Sequence, residues 1–113
     1  MLETKNINDI LVVRLKEAQR LNALISEPVK VNLLEFFNKP NTNLVFDLQG
    51  ISFIDSTGFG VLLSTMKAAN NNYGQFKICN VNSDVMELFK LLQLHHVIEI
   101  YDEMDSCLKS FNQ

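Results

Sequence analysis

Residues 43–62 read NLVFDLQGISFIDSTGFGVL. Residues 43–48 carry four apolar side chains in six, too short a run for a helix, and Gly50 breaks it. Such a run between turn residues suits a strand covered on both faces. After a short apolar approach at 51–54, the sequence Asp55-Ser56-Thr57-Gly58 interrupts it. Phe59, Leu62, Leu63 and Met66 then recur at helical spacing, which predicts a helix over 58–69. The stretch therefore reads strand, turn, helix, and two hydroxyls with an acid stand at the turn.

The rest of the chain repeats that alternation. Ile7-Asn8-Asp9 reads as a turn between a short first strand and a second strand over 10–15. Glu27-Pro28 opens a helix, with Ser26 as candidate cap and Val29, Leu33, Phe36 and Phe37 as its apolar positions. Asn38-Lys39-Pro40-Asn41 ends it. Residues 75–80 alternate as a strand, and Asn82 or Ser83 caps a helix reaching Leu92. A last strand is expected over 96–100 and a closing helix over 102–111, with acids in its first turn. The order ββαβαβαβα predicts a single α/β domain over residues 1–113, with a mixed sheet of about five strands and about four helices. Right-handed crossovers bring the turn at 55–57 to the edge where parallel strands end, a common place for sites in open α/β sheets.

Composition narrows the function. The 113 residues are 47% hydrophobic with eight Phe, enough for a sizeable core. Net charge is −3 and the ten Lys and Arg are scattered, so a basic nucleic-acid footprint is missing and no nucleic-acid partner is expected. The start, MLETKNINDI, has no signal-peptide pattern, and no run reaches the ~18 apolar residues of a bilayer span. A cytoplasmic chain without membrane insertion is the expectation. Cys79 and Cys107 lack zinc-site spacing and sit among apolar residues, so a buried reduced pair is expected over a disulfide. No metal site and no cofactor are expected.

At the turn, Ser and Asp suit a helix N-cap, because their oxygens accept from unpaired first-turn N–H groups. Capping leaves Gly58 and Gly60 unexplained, since each Gly costs up to ~1 kcal/mol against Ala in a helix. Bare backbone there suggests close approach by something else. A helix N-terminus accommodates anions, and a phosphate on Ser56 would add ~1.5–2 negative charges. A serine hydrolase is the competing enzymatic reading. However, Ile54 stands where the nucleophile elbow G-x-S-x-G requires Gly, and nothing places His95, His96 and Glu99 near Ser56. Phosphate-loop and dinucleotide motifs are missing too, so no enzyme activity and no catalytic residue are expected.

The segment from LVFDLQG through DSTGFG to VIEI resembles the STAS domain, the family named for sulfate transporters and anti-sigma factor antagonists. Its hallmark is a strand bearing Asp, a short apolar segment, then D-S-[ST]-G-[LF]-G opening a helix, and VNSDVMELFKLLQLHHVIEIYD matches the family's later elements. The resemblance covers essentially the whole chain. It implies a binding switch of the anti-sigma factor antagonist branch. Unphosphorylated, the domain would sequester a kinase-type anti-sigma factor; phosphorylation of Ser56 by that kinase would release it, and a metal-dependent serine phosphatase would restore the switch. The implied contact surface is Asp55, Thr57, Gly58, Phe59 and Gly60, together with Asn22. A Gly and an Asp common in the family are replaced here by Gln19 and Asn22. A second reading within the family is an unphosphorylated adaptor of a lipid-transport ABC complex, in which Ser56 only caps its helix.

Overall fold

Asn8 and Asp9 both take positive φ, 52° and 66°, and join β1 (Leu2–Ile7) to β2 (Ile10–Leu15) as an antiparallel hairpin. A two-residue turn of this hand needs left-handed backbone at both positions, which Asn and Asp tolerate better than other side chains. A computed structural model describes residues 1–111. Beyond the hairpin come β3 (Arg20–Leu21), α1 (Ser26–Phe36), β4 (Asn43–Asp47), β5 (Phe53–Ile54), α2 (Ser56–Asn71), β6 (Gln75–Cys79), α3 (Ser83–Leu91), a 3₁₀ turn (Leu94–His96), β7 (Glu99–Tyr101) and α4 (Met104–Ser110).

The main sheet has the order β1-β2-β4-β6-β7, and every pairing after the hairpin is parallel. Strands are added in one direction only. Right-handed crossovers therefore place α1, α2 and α3 on the same face, and α4, which follows the last strand, covers the other. The alternation within strands obeys this division. Leu44, Phe46, Phe76 and Ile78 join the core beneath α1–α3, whereas Val45 and Cys79 pack with Ile10 and Cys107 of α4. Both thiols are fully buried and unbonded. Because the strand order never reverses, the sheet has no switch-point crevice, and the sequence-predicted edge is a rim rather than a cleft.

Five details differ from the expectations. A strand at Arg20–Leu21, unread in the sequence, pairs in parallel with β5 and forms a separate two-stranded sheet. Helix α2 starts at Ser56, two residues before the predicted 58. Ser26 does not cap α1: Ile25 holds the cap position without a side-chain bond, and the Ser26 hydroxyl turns elsewhere. The last strand is Glu99–Tyr101 rather than 96–100, because Gln93 takes φ 58° and the 3₁₀ turn uses His95 and His96. The closing helix likewise begins at Met104, after the cap residue Glu103.

The rim at the start of helix α2

Strands β3 and β5 lie at the end of the main sheet where its parallel strands finish, with Leu21 opposite Ile54. The Ser52 N–H donates to the Gln19 carbonyl at 2.8 Å and the Asp55 N–H to the Leu21 carbonyl at 3.2 Å. These bonds draw the segment carrying Asn22 against the start of α2. Nearby, Asp47 closes β4, and its Oδ1 accepts from the Gln49 N–H at 2.9 Å and from Asn80 Nδ2 at 3.0 Å, tying the ends of β4 and β6 together.

Asp55 is the cap of α2. Its backbone is extended (φ −94°, ψ −175°), and Oδ1 accepts from the Gly58 N–H at 2.9 Å. The same oxygen accepts from the Thr57 hydroxyl at 2.5 Å, while Oδ2 accepts from the Ala23 N–H at 3.0 Å. The Thr57 hydroxyl first, and the Gly58 N–H next, stabilise the carboxylate and lower its pKa below the usual carboxylate value. Thr57 Oγ1 also lies 2.8 Å from Ser26 Oγ, which in turn is 2.7 Å from the Asn22 carbonyl. Asn22 makes an Asx turn through Oδ1 to the Leu24 N–H at 3.1 Å.

Ser56 stands apart from this network. It occupies the first helical position and is exposed, and among the described residues no hydrogen bond engages its hydroxyl. With Asp55 as the cap, the fold has no structural use for that hydroxyl.

The two glycines separate. Gly58 is buried, and a Cβ there would stand 2.4 Å from the Leu21 carbonyl oxygen and 2.7 Å from Ile54 Cγ2. The close approach inferred from the sequence is real at Gly58, but the approaching group is β3 of the same chain. A Cβ on Gly60 would meet nothing within 4 Å. Phe59 is 5% exposed and packs edge-on against Phe89 at 5.1 Å between centroids. The implied contact set thus splits: Asn22, Asp55, Thr57 and Gly60 reach the surface around Ser56, whereas Gly58 and Phe59 point inward and support it.

The sequence reading took Ser26 for a helix cap and missed its place in this network. It also passed over two apolar side chains flanking the motif. Leu24 is 87% exposed, and Phe53, 41% exposed, carries the Arg20 guanidinium 5.5 Å above its ring. His95 and His96 stack on each other at 3.9 Å in the turn that precedes β7. That turn lies at the end of the sheet where parallel strands begin, opposite the end that carries Ser56, so no Ser–His pair forms. Among the described residues no group of three His, Cys, Asp or Glu is placed to hold a metal, and no helix is long and apolar enough to cross a membrane.

Comparison with known proteins agrees with this geometry. The STAS domain family model matches residues 1–107. Over 102 residues the chain is 29% identical to the anti-sigma F factor antagonist of Paenibacillus polymyxa, covering 89% of this chain and 86% of that one. Over 96 residues it is 30% identical to the anti-sigma-B factor antagonist of Bacillus subtilis (strain 168), covering 85% and 84%. Among solved structures, an anti-sigma-factor antagonist (STAS) domain protein from Planctomyces limnophilus superposes with a TM-score of 0.90 at 18% identity, covering 99% of this chain and 98% of the other. The Bacillus cell fate determinant SpoIIAA in its phosphorylated form has a TM-score of 0.68 at 16% identity, covering 97% and 99%. With the family model spanning nearly the whole length and a rim built around D-S-T-G-F-G at the start of α2, this chain belongs to the STAS domain family.

Proposed function

We propose that the chain is an anti-sigma factor antagonist whose binding is switched by phosphorylation of Ser56. The single observation that carries this reading is the free, exposed hydroxyl of Ser56 beside a cap that Asp55 already completes. Relatives named as anti-sigma factor antagonists support the same reading. In the transfer, Ser56 Oγ bonds to the γ-phosphorus of ATP as the bond to the ADP oxygen breaks, and the hydroxyl proton leaves to a base that the kinase supplies. A metal-dependent serine phosphatase returns the hydroxyl by hydrolysis.

The electrostatics suit a surface switch. The carboxylate of Asp55 already accepts from the first-turn Gly58 N–H and the Thr57 hydroxyl at the positive end of the α2 dipole. A phosphate on Ser56 is therefore displayed outward on an anionic rim and adds ~1.5–2 negative charges to it. At ~4 Å, one like-charge contact with a partner is worth about 1 kcal/mol in bulk water and about 4 at a protein surface. That corresponds to roughly a fivefold to several-hundredfold loss of affinity without a change of fold. The Asp55 cap also weighs against the adaptor reading, in which Ser56 serves only to cap the helix.

Incubation with the kinase-type anti-sigma factor and ATP is expected to add one phosphate, and Ser56→Ala is expected to abolish it. Phosphate incorporated into Ser56→Ala as efficiently as into the parent would sink the assignment. Ser56→Asp should bind the anti-sigma factor more weakly; equal affinity would mean that charge is not the signal.

A further inference from the structure

Two hydroxyl protons serve three short oxygen contacts at the rim. Ser26 Oγ lies 2.7 Å from the Asn22 carbonyl and 2.8 Å from Thr57 Oγ1, and Thr57 Oγ1 lies 2.5 Å from Asp55 Oδ1. Each hydroxyl donates once. An ionised carboxylate only accepts, so the Thr57 proton belongs to Asp55. Ser26 then has one proton and two acceptors to choose from. The Asn22 carbonyl is already satisfied by the N–H groups of Ser26 at 2.9 Å and Ile25 at 3.1 Å. Thr57 Oγ1 has no other donor among the described residues, and giving the proton there builds a chain ending on a negative charge, in which each bond polarises the next. Ser26 is only 7% exposed, so water competes poorly for its hydroxyl.

We propose that Ser26 is a positioning residue. Its hydroxyl donates to Thr57 Oγ1, holds Thr57 as a donor to Asp55, and so leaves Ser56 as the one unengaged hydroxyl at the start of α2. Ser26 sits in the first turn of α1 and Thr57 in the first turn of α2, so the chain also pins two helix starts to each other across 31 residues. The consequence is site selectivity. Thr57, adjacent to Ser56 and exposed, is withheld from phosphoryl transfer because its proton is committed and its oxygen is already an acceptor. This selectivity rests on the switch proposed above, but the hydroxyl chain does not.

The test has two arms. First, the Asp55 carboxyl is titrated by carbon NMR in the parent protein, Ser26→Ala, Ser26→Thr and Thr57→Val. Among the described residues no charged side chain pairs with Asp55; its partners are the Thr57 hydroxyl and the N–H groups of Gly58 and Ala23. The titration is expected to move upward in Ser26→Ala, further upward in Thr57→Val, and to return toward the parent in Ser26→Thr. An unmoved titration in Ser26→Ala would overturn the chain, since a purely steric role for Ser26 does not reach the carboxylate. Second, after exposure to the anti-sigma factor kinase and ATP, phosphate is mapped by residue. Ser26→Ala is expected to raise Thr57 occupancy at least tenfold over the parent; phosphate confined to Ser56 in both proteins would overturn the selectivity. No phosphate on any residue of the parent would remove the switch reading instead, while the titration still decides the chain.

Discussion

The two faces of the sheet handle polar groups in opposite ways. On the face covered by α4, Lys77 is 3% exposed, yet every part of its ammonium has company. Nζ donates to Ser110 Oγ at 2.9 Å, pairs with Glu99 at 3.6 Å, and lies 4.4 Å from the Phe111 ring centroid and 5.7 Å from that of Tyr101. Cys79 and Cys107 complete that layer, and the adjoining Cys107 side chain, together with burial, pushes the Cys79 thiol far up and keeps it the protonated partner of the pair. At the rim above the other face, the hydroxyls, amide groups and Asp55 also bond to one another, reaching from the buried Ser26 to the exposed Thr57, and they omit the exposed Ser56. A buried polar group without a partner costs free energy, whereas an exposed one can stay free because water satisfies it. Burial thus makes Lys77 an anchor for the closing helix, and exposure leaves Ser56 available for chemistry.

That contrast can be broken most strongly at Gly58, which belongs by sequence to the rim and by packing to the core. Gly58→Ala is expected to destabilise the fold by about 3 kcal/mol, because the obstructing atom is backbone and cannot move aside. Gly60→Ala, meeting no neighbour, should leave stability unchanged or raise it by up to ~1 kcal/mol. Urea unfolding midpoints of the two variants compare them directly; equal losses would mean that contact with β3 does not select Gly58.

A smaller effect is expected at Lys77. Lys77→Ala removes a hydrogen bond worth ~1 kcal/mol and a desolvated cation–π contact worth up to ~2, so a loss of about 2 kcal/mol is expected. Phosphate incorporation at Ser56 should be unaffected, and a changed rate would connect two faces that the structure keeps separate.

Asp55 sharpens the comparison through pH. Its folded pKa is lowered by hydrogen bonds from Thr57 and Gly58, so its stabilising contribution is fully present above the unfolded carboxylate value of about 3.9 and fades as pH falls through the folded value. The stability difference between the parent and Asp55→Asn should therefore shrink on acidification below about pH 4. A gap of constant size in acid would show that the ionised carboxylate is not what holds the cap.

The smallest effect belongs to Ser56 itself. Ser56→Ala should alter stability by no more than ~0.5 kcal/mol, since its exposed hydroxyl bonds to no other group among the described residues. A loss above ~1 kcal/mol, measured by thermal melting, would make Ser56 a structural residue and weaken the separation between cap and free hydroxyl.

What the sequence determined by itself was the order of elements and the position of the rim. Apolar runs of five or six residues, helical spacing after Gly58, and Asn or Gly at turns are local signals, and they act over two to four residues. The D-S-T-G-F-G motif marked the start of α2 for the same reason. Other features came only with the tertiary structure. Arg20–Leu21 is a strand because β5 lies beside it, and Gly58 is required because the Leu21 carbonyl comes within reach. Ser26 looked like a cap until Thr57, 31 residues away, came within 2.8 Å, and the Ala23 N–H meets Asp55 across 32 residues. Local periodicity says which face of an element is apolar. It carries no information about which polar atom of one loop will meet a polar atom of another, because that meeting depends on how the crossovers pack and on which groups burial then obliges to find partners.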